Sequence, residues 1–314
     1  MIYLFYQLIR TARPRQWLKN LSLFAAPVFA GRLFERDTFS LTLYAFVSFC
    51  LLSSASYFVN DIIDAPKDKL HPIKKNRPIA SGRLSPLLAL VVALLFASTS
   101  LFIGFRIVGT YFGFSLVFYM ILQASYSLYF RNVIIMDSLV VATGFVLRVF
   151  AGGLASYTSI SSWLALTTIG ISLLLAFGKR RSEKTILAKY HLPQEEIETR
   201  KTLRHYPDNL LDSMISMSAA YTIITYSLFV FQISPSGAND TLLRILPSIL
   251  KSPKWMMLTI PLVIYGVARY LYVIYEKGEA ESPERVLLSD KPLLFIVIFW
   301  GILTMFFVYL VPDF

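Results

Sequence analysis

The run Asn60–Gly82 reads NDIIDAPKDKLHPIKKNRPIASG, the most polar stretch in the first half of a very apolar chain. Positions 61, 64 and 68 are aspartates, and on a helix their i, i+3, i+7 spacing puts them on one face. Three carboxylates crowded there repel one another unless something positive sits between them. A hard divalent cation such as Mg2+ does that, and it usually brings a phosphate-bearing substrate with it. Lys67, Lys69, Lys74, Lys75, Arg77 and Arg83 interleave with the acids or follow them. A solvated acidic helix end followed by a basic anchoring loop is the competing reading, since charge runs are common at membrane edges. The spacing, and the abrupt switch from acid to base, favour a metal–diphosphate site with Asn60 beside Asp61, Asp64 and Asp68.

Three other groups of residues could join it. YSLYFRNVIIMD supplies Tyr126, Tyr129, Arg131 and Asp137 in a short turn between apolar runs. Asp137 either complements a helix N-terminus or faces the first cluster across a shared pocket as a second carboxylate. Arg148 follows 11 residues later, so it lies ~16 Å deeper on a helix. An unpaired Arg at that depth costs at least ~2.5 kcal/mol, which leaves a buried ion pair or an anion ligand at the base of a cavity. The small residues of AGGLA after it allow close helix approach. In GKRRSEK, the cations Lys179, Arg180 and Arg181 either complement a helix C-terminus or neutralise phosphate, with Glu183 as a further metal ligand. RPRQWLKN, with Lys19 and Trp17, is an interfacial anchor or a grip on an anionic lipid head. Arg269 lies about six residues inside its span, a place from which it can snorkel to the interface.

The elements that must position these groups are membrane helices. The chain has 314 residues, 56% hydrophobic and only 16% charged, and its apolar residues come in continuous blocks. A bilayer crossing needs ~20 such residues, and a β-barrel would alternate instead. The pattern predicts an all-α polytopic membrane protein of about nine helices. The spans fall near 17–32, 38–59, 86–106, 110–130, 134–155, 162–178, 211–233, 255–275 and 292–311. Most of the 30 Lys and Arg fall on loops at the side of the N-terminus, whereas Arg32, Arg36, Arg106, Arg244, Lys251 and Lys254 fall on the other. That asymmetry predicts a cytoplasmic N-terminus and an outward C-terminus. It also accounts for the net charge of +11 without nucleic acid.

The first apolar run, IYLFYQLI, is short, and its basic cluster follows it, so an interfacial helix is expected rather than a cleaved signal. Cys50 lies in an apolar block as a packing residue, and His71, His191 and His205 have no ligand-like spacing for zinc. The whole of 1–314 reads as one unit, with loops about 60–85 and 179–210 forming a cytoplasmic mouth. Short amphipathic helices are expected in the second of these, and a surface helix around LLRILPSIL on the opposite side.

Asn60-Asp61-x-x-Asp64-x-x-x-Asp68 at the edge of about nine helices resembles the UbiA superfamily of intramembrane prenyltransferases. That resemblance implies Mg2+ and a diphosphate held in a lipid-open helical bundle. The wider family carries a second Asp-rich motif where this chain reads KRRSEK. Taken together, RPRQWLKN, NDIIDAPKDKLHPIKKNRPIASG, YSLYFRNVIIMD, LRVFAGG and GKRRSE resemble a narrower branch, the decaprenyl-phosphate phosphoribosyltransferases. There the diphosphate belongs to phosphoribosyl pyrophosphate, and a polyprenyl phosphate is the acceptor. The resemblance implies that Asp61, Asp64 and Asp68 hold the metal with Asn60. It implies that Lys74, Lys75, Arg77 and residues 179–181 face the donor's phosphates, and that Arg148 or the N-terminal basics grip the acceptor's. A prenyltransferase acting on a small acceptor is the first alternative. A transporter is the second, and would carry inverted repeats with broken mid-span helices.

Overall fold

In hydrocarbon a chain must satisfy its own backbone hydrogen bonds, so long apolar runs become helices. The computed structural model describes residues 2–70, 74–189, 206–233, 254–277 and 283–310, and among these there is no strand. An N-terminal helix, α1 (Ile2–Ala12), leads into a 3₁₀ helix at Pro14–Phe24 and the short α2 (Ala25–Phe29). Then come α3 (Arg36–Asp68), α4 (Pro86–Ile103), α5 (Thr110–Leu128), α6 (Met136–Ala155) and α7 (Ser162–Lys189). The last third holds α8 (Asp208–Ile233), α9 (Ile260–Tyr272), the short α10 (Pro283–Ser289) and α11 (Lys291–Tyr309).

Eight of these segments are long and apolar enough to cross a membrane. The span expected at 17–32 is not among them, yet it runs the length of the bundle. Arg13, just before it, meets Asp61 near the end of α3, while Leu33, just after it, donates its backbone N–H to Tyr309 at the far end of α11. The 3₁₀ form explains the reach. Eleven residues at ~2.0 Å rise and five at ~1.5 Å give roughly 30 Å, the thickness of the hydrocarbon core. The segment lies directly on α6: a Cβ at Gly152 would stand 1.9 Å from the carbonyl oxygen of Leu23.

Two spans run further than their apolar pattern. α3 continues past residue 59 to Asp68, and α7 past residue 178 to Lys189. In both, the polar extension has partners in the fold, so the helix need not stop where the apolar run does. Arg269 is held, not snorkelled: Nε and Nη2 each lie 3.0 Å from Asp290, a bidentate pair. His71, His191, His205, the stretch 190–205 and LLRILPSIL lie outside the described residues.

Candidate active site

The inner end of α3 carries the acids. Asp61 is buried, and its Oδ1 accepts from Arg13 at 2.5 Å and from Arg77 at 3.2 Å. Arg77 also reaches Oδ2 of Asp68 at 2.6 Å. Asp64, nearly one turn further along the same helix end, has Oδ1 3.4 Å from Arg131. The positive charge between the three carboxylates is therefore in part arginine. Among the described residues, Oδ2 of Asp61 and of Asp64 accepts no hydrogen bond. Asn60 accepts from the Ser127 hydroxyl at 3.0 Å, which ties α3 to α5.

These residues open onto a cavity of about 290 Å³ enclosed by α3, α5, α6, the 3₁₀ crossing and the end of α7. Asp61 and Asp64 are its two carboxylates, and Arg13, Lys19, Arg77, Arg131, Arg148 and Lys179 are its six cations. Asn60 and Tyr126 line it as well. Tyr57 and Tyr119 add aromatic wall, and Arg13 stacks over the Tyr57 ring at 5.1 Å.

Arg148 is buried at the base, where α6 faces the first crossing. Its guanidinium donates to the Asn20 carboxamide at 2.8 Å, the Gly144 carbonyl at 2.6 Å and the Tyr119 hydroxyl at 2.9 Å. All three acceptors are neutral, and among the described residues no carboxylate is within ion-pairing distance. Of the two readings of this residue, the ion pair is therefore not found among the described residues. Its charge is desolvated but not cancelled, a state that favours an incoming anion.

Asp68, Lys74, Lys75, Asp137, Arg180, Arg181 and Glu183 stand apart from the cavity lining. Asp137 is buried behind it, with Oδ2 2.7 Å from Nε of Arg180 and Oδ1 accepting from the Tyr206 hydroxyl at 2.5 Å. Arg180 spends its other nitrogens on Glu183, 2.7 Å away, and on the Tyr126 hydroxyl, 2.9 Å away. Asp137, Arg180 and Glu183 thus form one buried network that braces α6 against α7. Tyr206 completes it from the start of the α8 segment and also accepts from the backbone N–H of Ile135 at 2.6 Å. Burial, together with the bond to Asp137, pushes the Tyr206 phenol up to about 12. Ile135 has φ +70°, unfavourable for a β-branched residue, and the Tyr206 bond holds it there. Asp68 sits behind Asp61, joined to it through Arg77. Lys74 and Lys75 lie on the turn Lys74–Asn76 outside the cavity.

Sequence reading had Arg13 and Gln16 only within the N-terminal group RPRQWLKN, and missed Tyr57, Tyr119, Gln123 and Glu284 as site neighbours. Glu284 carries no local signal, because its partners Gln16 and Lys19 lie more than 260 residues earlier. Arg13 was legible only as one more basic residue. Its left-handed backbone, φ +55°, turns the chain from α1 into the crossing and brings the side chain to Asp61.

A helical membrane bundle with a cationic, carboxylate-bearing cavity at one end is the architecture of an intramembrane enzyme that handles phosphorylated substrates. The model of the UbiA prenyltransferase family matches residues 21–295. The chain belongs to that family and is a transferase integral to the membrane. It is 30% identical over 310 residues to a decaprenyl-phosphate phosphoribosyltransferase of Corynebacterium glutamicum, covering 98% of this chain and 88% of that one. It is 32% identical to a protein of the same name from Mycolicibacterium smegmatis, covering 93% and 89%. In fold it is similar to a UbiA homolog from Archaeoglobus fulgidus bound to DMAPP and Mg2+, with a TM-score of 0.64, 18% identity and 96% of each chain covered.

Proposed function

We propose that the chain transfers the 5-phosphoribosyl group of phosphoribosyl pyrophosphate to the phosphate of a polyprenyl lipid, releasing pyrophosphate, with Mg2+ as cofactor. The observation that carries this reading is the charge of the cavity, six cations against two carboxylates. A prenyl diphosphate and a neutral acceptor bring one diphosphate. A phosphoribosyl donor and a lipid phosphate bring a diphosphate and two further phosphates, which is what such an excess of cations suits. The names of the curated relatives support transfer of a phosphoribosyl group to a polyprenyl phosphate. So does the wall contributed by α7, where Lys179 lines the cavity while Glu183 turns to Arg180.

The donor set fits Mg2+. Asp61 and Asp64 each give arginine only one oxygen by hydrogen bond, Asp61 to Arg13 and Arg77 and Asp64 to Arg131, and Asn60 adds a hard amide oxygen. Among the described residues no three His, Cys, Asp or Glu side chains converge as a ready-made cage. That suits Mg2+, which is usually bound by one or two carboxylates and completed by substrate phosphates and water. Once bound, the ion supplies Lewis-acid stabilisation to the departing diphosphate.

The remaining work falls to the chain's own residues. Arg77, Arg131 and Lys179 neutralise the donor's phosphates, and Asp68 holds Arg77 in place. Lys19 and Arg148 hold the acceptor's phosphate deeper in the cavity. One oxygen of that phosphate attacks C1 of the ribose, and the C1–O bond to pyrophosphate breaks, with its electron pair leaving on pyrophosphate. The acceptor is an anion at neutral pH, so no strong general base is required. Catalysis then rests on alignment and on fixed positive charge where negative charge develops. Asp137, Arg180, Tyr126 and Glu183 keep α5, α6 and α7 in register around the site. Lys74 and Lys75 add rim charge that draws anions inward. The full chain, 1–314, acts as one unit with its mouth toward the cytoplasm, where the Lys- and Arg-rich loops belong.

Radiolabelled phosphoribosyl pyrophosphate and radiolabelled prenyl diphosphate, each offered to purified protein with Mg2+ and polyprenyl phosphate, test the reading. Label passing to lipid from the first and not from the second is the expected result. Transfer from prenyl diphosphate alone would overturn it.

A further inference from the structure

Glu284 lies on α10, a seven-residue helix near the mouth of the cavity, and is only 6% exposed. Its carboxylate does not line the cavity; it reaches the first crossing. The Gln16 carboxamide donates to Oε1, and the ammonium of Lys19 pairs with Oε2 at 3.2 Å. Lys19 also donates to the carboxamide oxygen of Gln16, so the three side chains close a ring. Gln16, Lys19 and the neighbouring Pro283 all line the cavity.

The ring fixes where the Lys19 charge sits. An ammonium has three N–H donors on a flexible stem. Gln16 takes one by hydrogen bond and Glu284 holds the charge as an ion pair, which leaves N–H donors for an anion in the cavity. The next residue, Asn20, is anchored separately by Arg148. Consecutive residues of the 3₁₀ crossing are thus tied to different helices, one to α10 through Glu284 and one to α6 through Arg148. We infer that Glu284 is a positioning residue for the acceptor. It holds Lys19 so that Lys19 and Arg148 close on a single lipid-borne phosphate, while the donor binds at Asp61, Asp64, Arg77 and Arg131. This rests on the transfer reaction proposed above.

Full-length protein in nanodiscs tests it, with phosphoribosyl pyrophosphate and polyprenyl phosphate varied separately. In E284Q the apparent KM for polyprenyl phosphate should rise ~10-fold, the scale on which a supporting partner matters, with the KM for phosphoribosyl pyrophosphate within about twofold of wild type. K19Q should behave alike, and the double variant E284Q/K19Q should be no worse than K19Q alone. Native mass spectrometry of polyprenyl phosphate binding, without donor, should show the same loss in E284Q. The inference is overturned if E284Q leaves lipid affinity unchanged. It is equally overturned if both KM values and the melting temperature shift together, the mark of a general brace. A wild-type protein that does not turn over phosphoribosyl pyrophosphate would remove the transfer reaction, and the lipid-binding measurement would still decide the role of Glu284.

Discussion

The carboxamide oxygen of Asn20 accepts from Nε of Arg148 at 2.8 Å, across 128 residues of chain. The bond joins an irregular crossing to the middle of α6 and leaves the guanidinium charged among neutral partners. Removing that charge should affect the lipid substrate most. R148M should lower kcat/KM for polyprenyl phosphate by ~10²-fold, the usual cost of a lost preorganised donor. R148K should fall between wild type and R148M, since a lysine keeps the charge but lacks the rigid planar fork that reaches Asn20, Gly144 and Tyr119 together. Steady-state kinetics with each substrate varied separately check both.

The acids at the end of α3 should not be equivalent. Asp61 lines the cavity, whereas Asp68 reaches it only through Arg77. D61N should cost at least ~10²-fold in transfer rate while the protein stays folded. D68N should cost less than about tenfold, because Arg77 keeps Asp61 as a partner. The comparison is of initial rates at saturating Mg2+, with circular dichroism confirming the fold. Equal losses would place Asp68 in the site itself.

Tyr206 gives a signature in alkali. Burial and its hydrogen bond to Asp137 raise its phenol from the ordinary value of ~10 to about 12. A raised folded value means that the folded state favours the neutral phenol. Its contribution to stability is therefore complete below pH ~10 and is lost as pH rises through about 12. Y206F should be less stable than wild type at neutral pH, and the gap should close across that window. Thermal melts from pH 8 to 12 check it.

Gly152 tests the first crossing. A methyl group there would stand 1.9 Å from the Leu23 carbonyl oxygen, a backbone atom that can yield only if the crossing moves. G152A should destabilise by ~1–3 kcal/mol, the usual cost of overpacking. It should also raise the KM for polyprenyl phosphate, because Lys19 and Asn20 ride on the displaced segment. Melting and kinetics on one preparation read both effects. G152A with unchanged kinetics would separate the crossing from the acceptor's place.

The helices were legible because hydrocarbon forces apolar runs of bilayer length to fold on themselves, and the α3 acids because their spacing marks one helix end. The 3₁₀ crossing was visible as a span but not in its form: a 16-residue stretch crosses only when its rise per residue increases, and no apolar count shows that. Asp137 and Glu183 could be recognised as polar groups near the mouth. Whether they faced the cavity or Arg180 depended on how α6 and α7 pack, which local pattern does not encode. Glu284 was silent for the same reason, since its meaning comes from residues at the opposite end of the chain.

The most direct test of the whole account is mass spectrometry of the lipid formed by purified protein from phosphoribosyl pyrophosphate, polyprenyl phosphate and Mg2+. A product heavier than the acceptor by one phosphoribosyl group is expected, with pyrophosphate in equal amount and loss of both on adding a chelator. A lipid of unchanged mass, or full turnover in the chelator's presence, would contradict it.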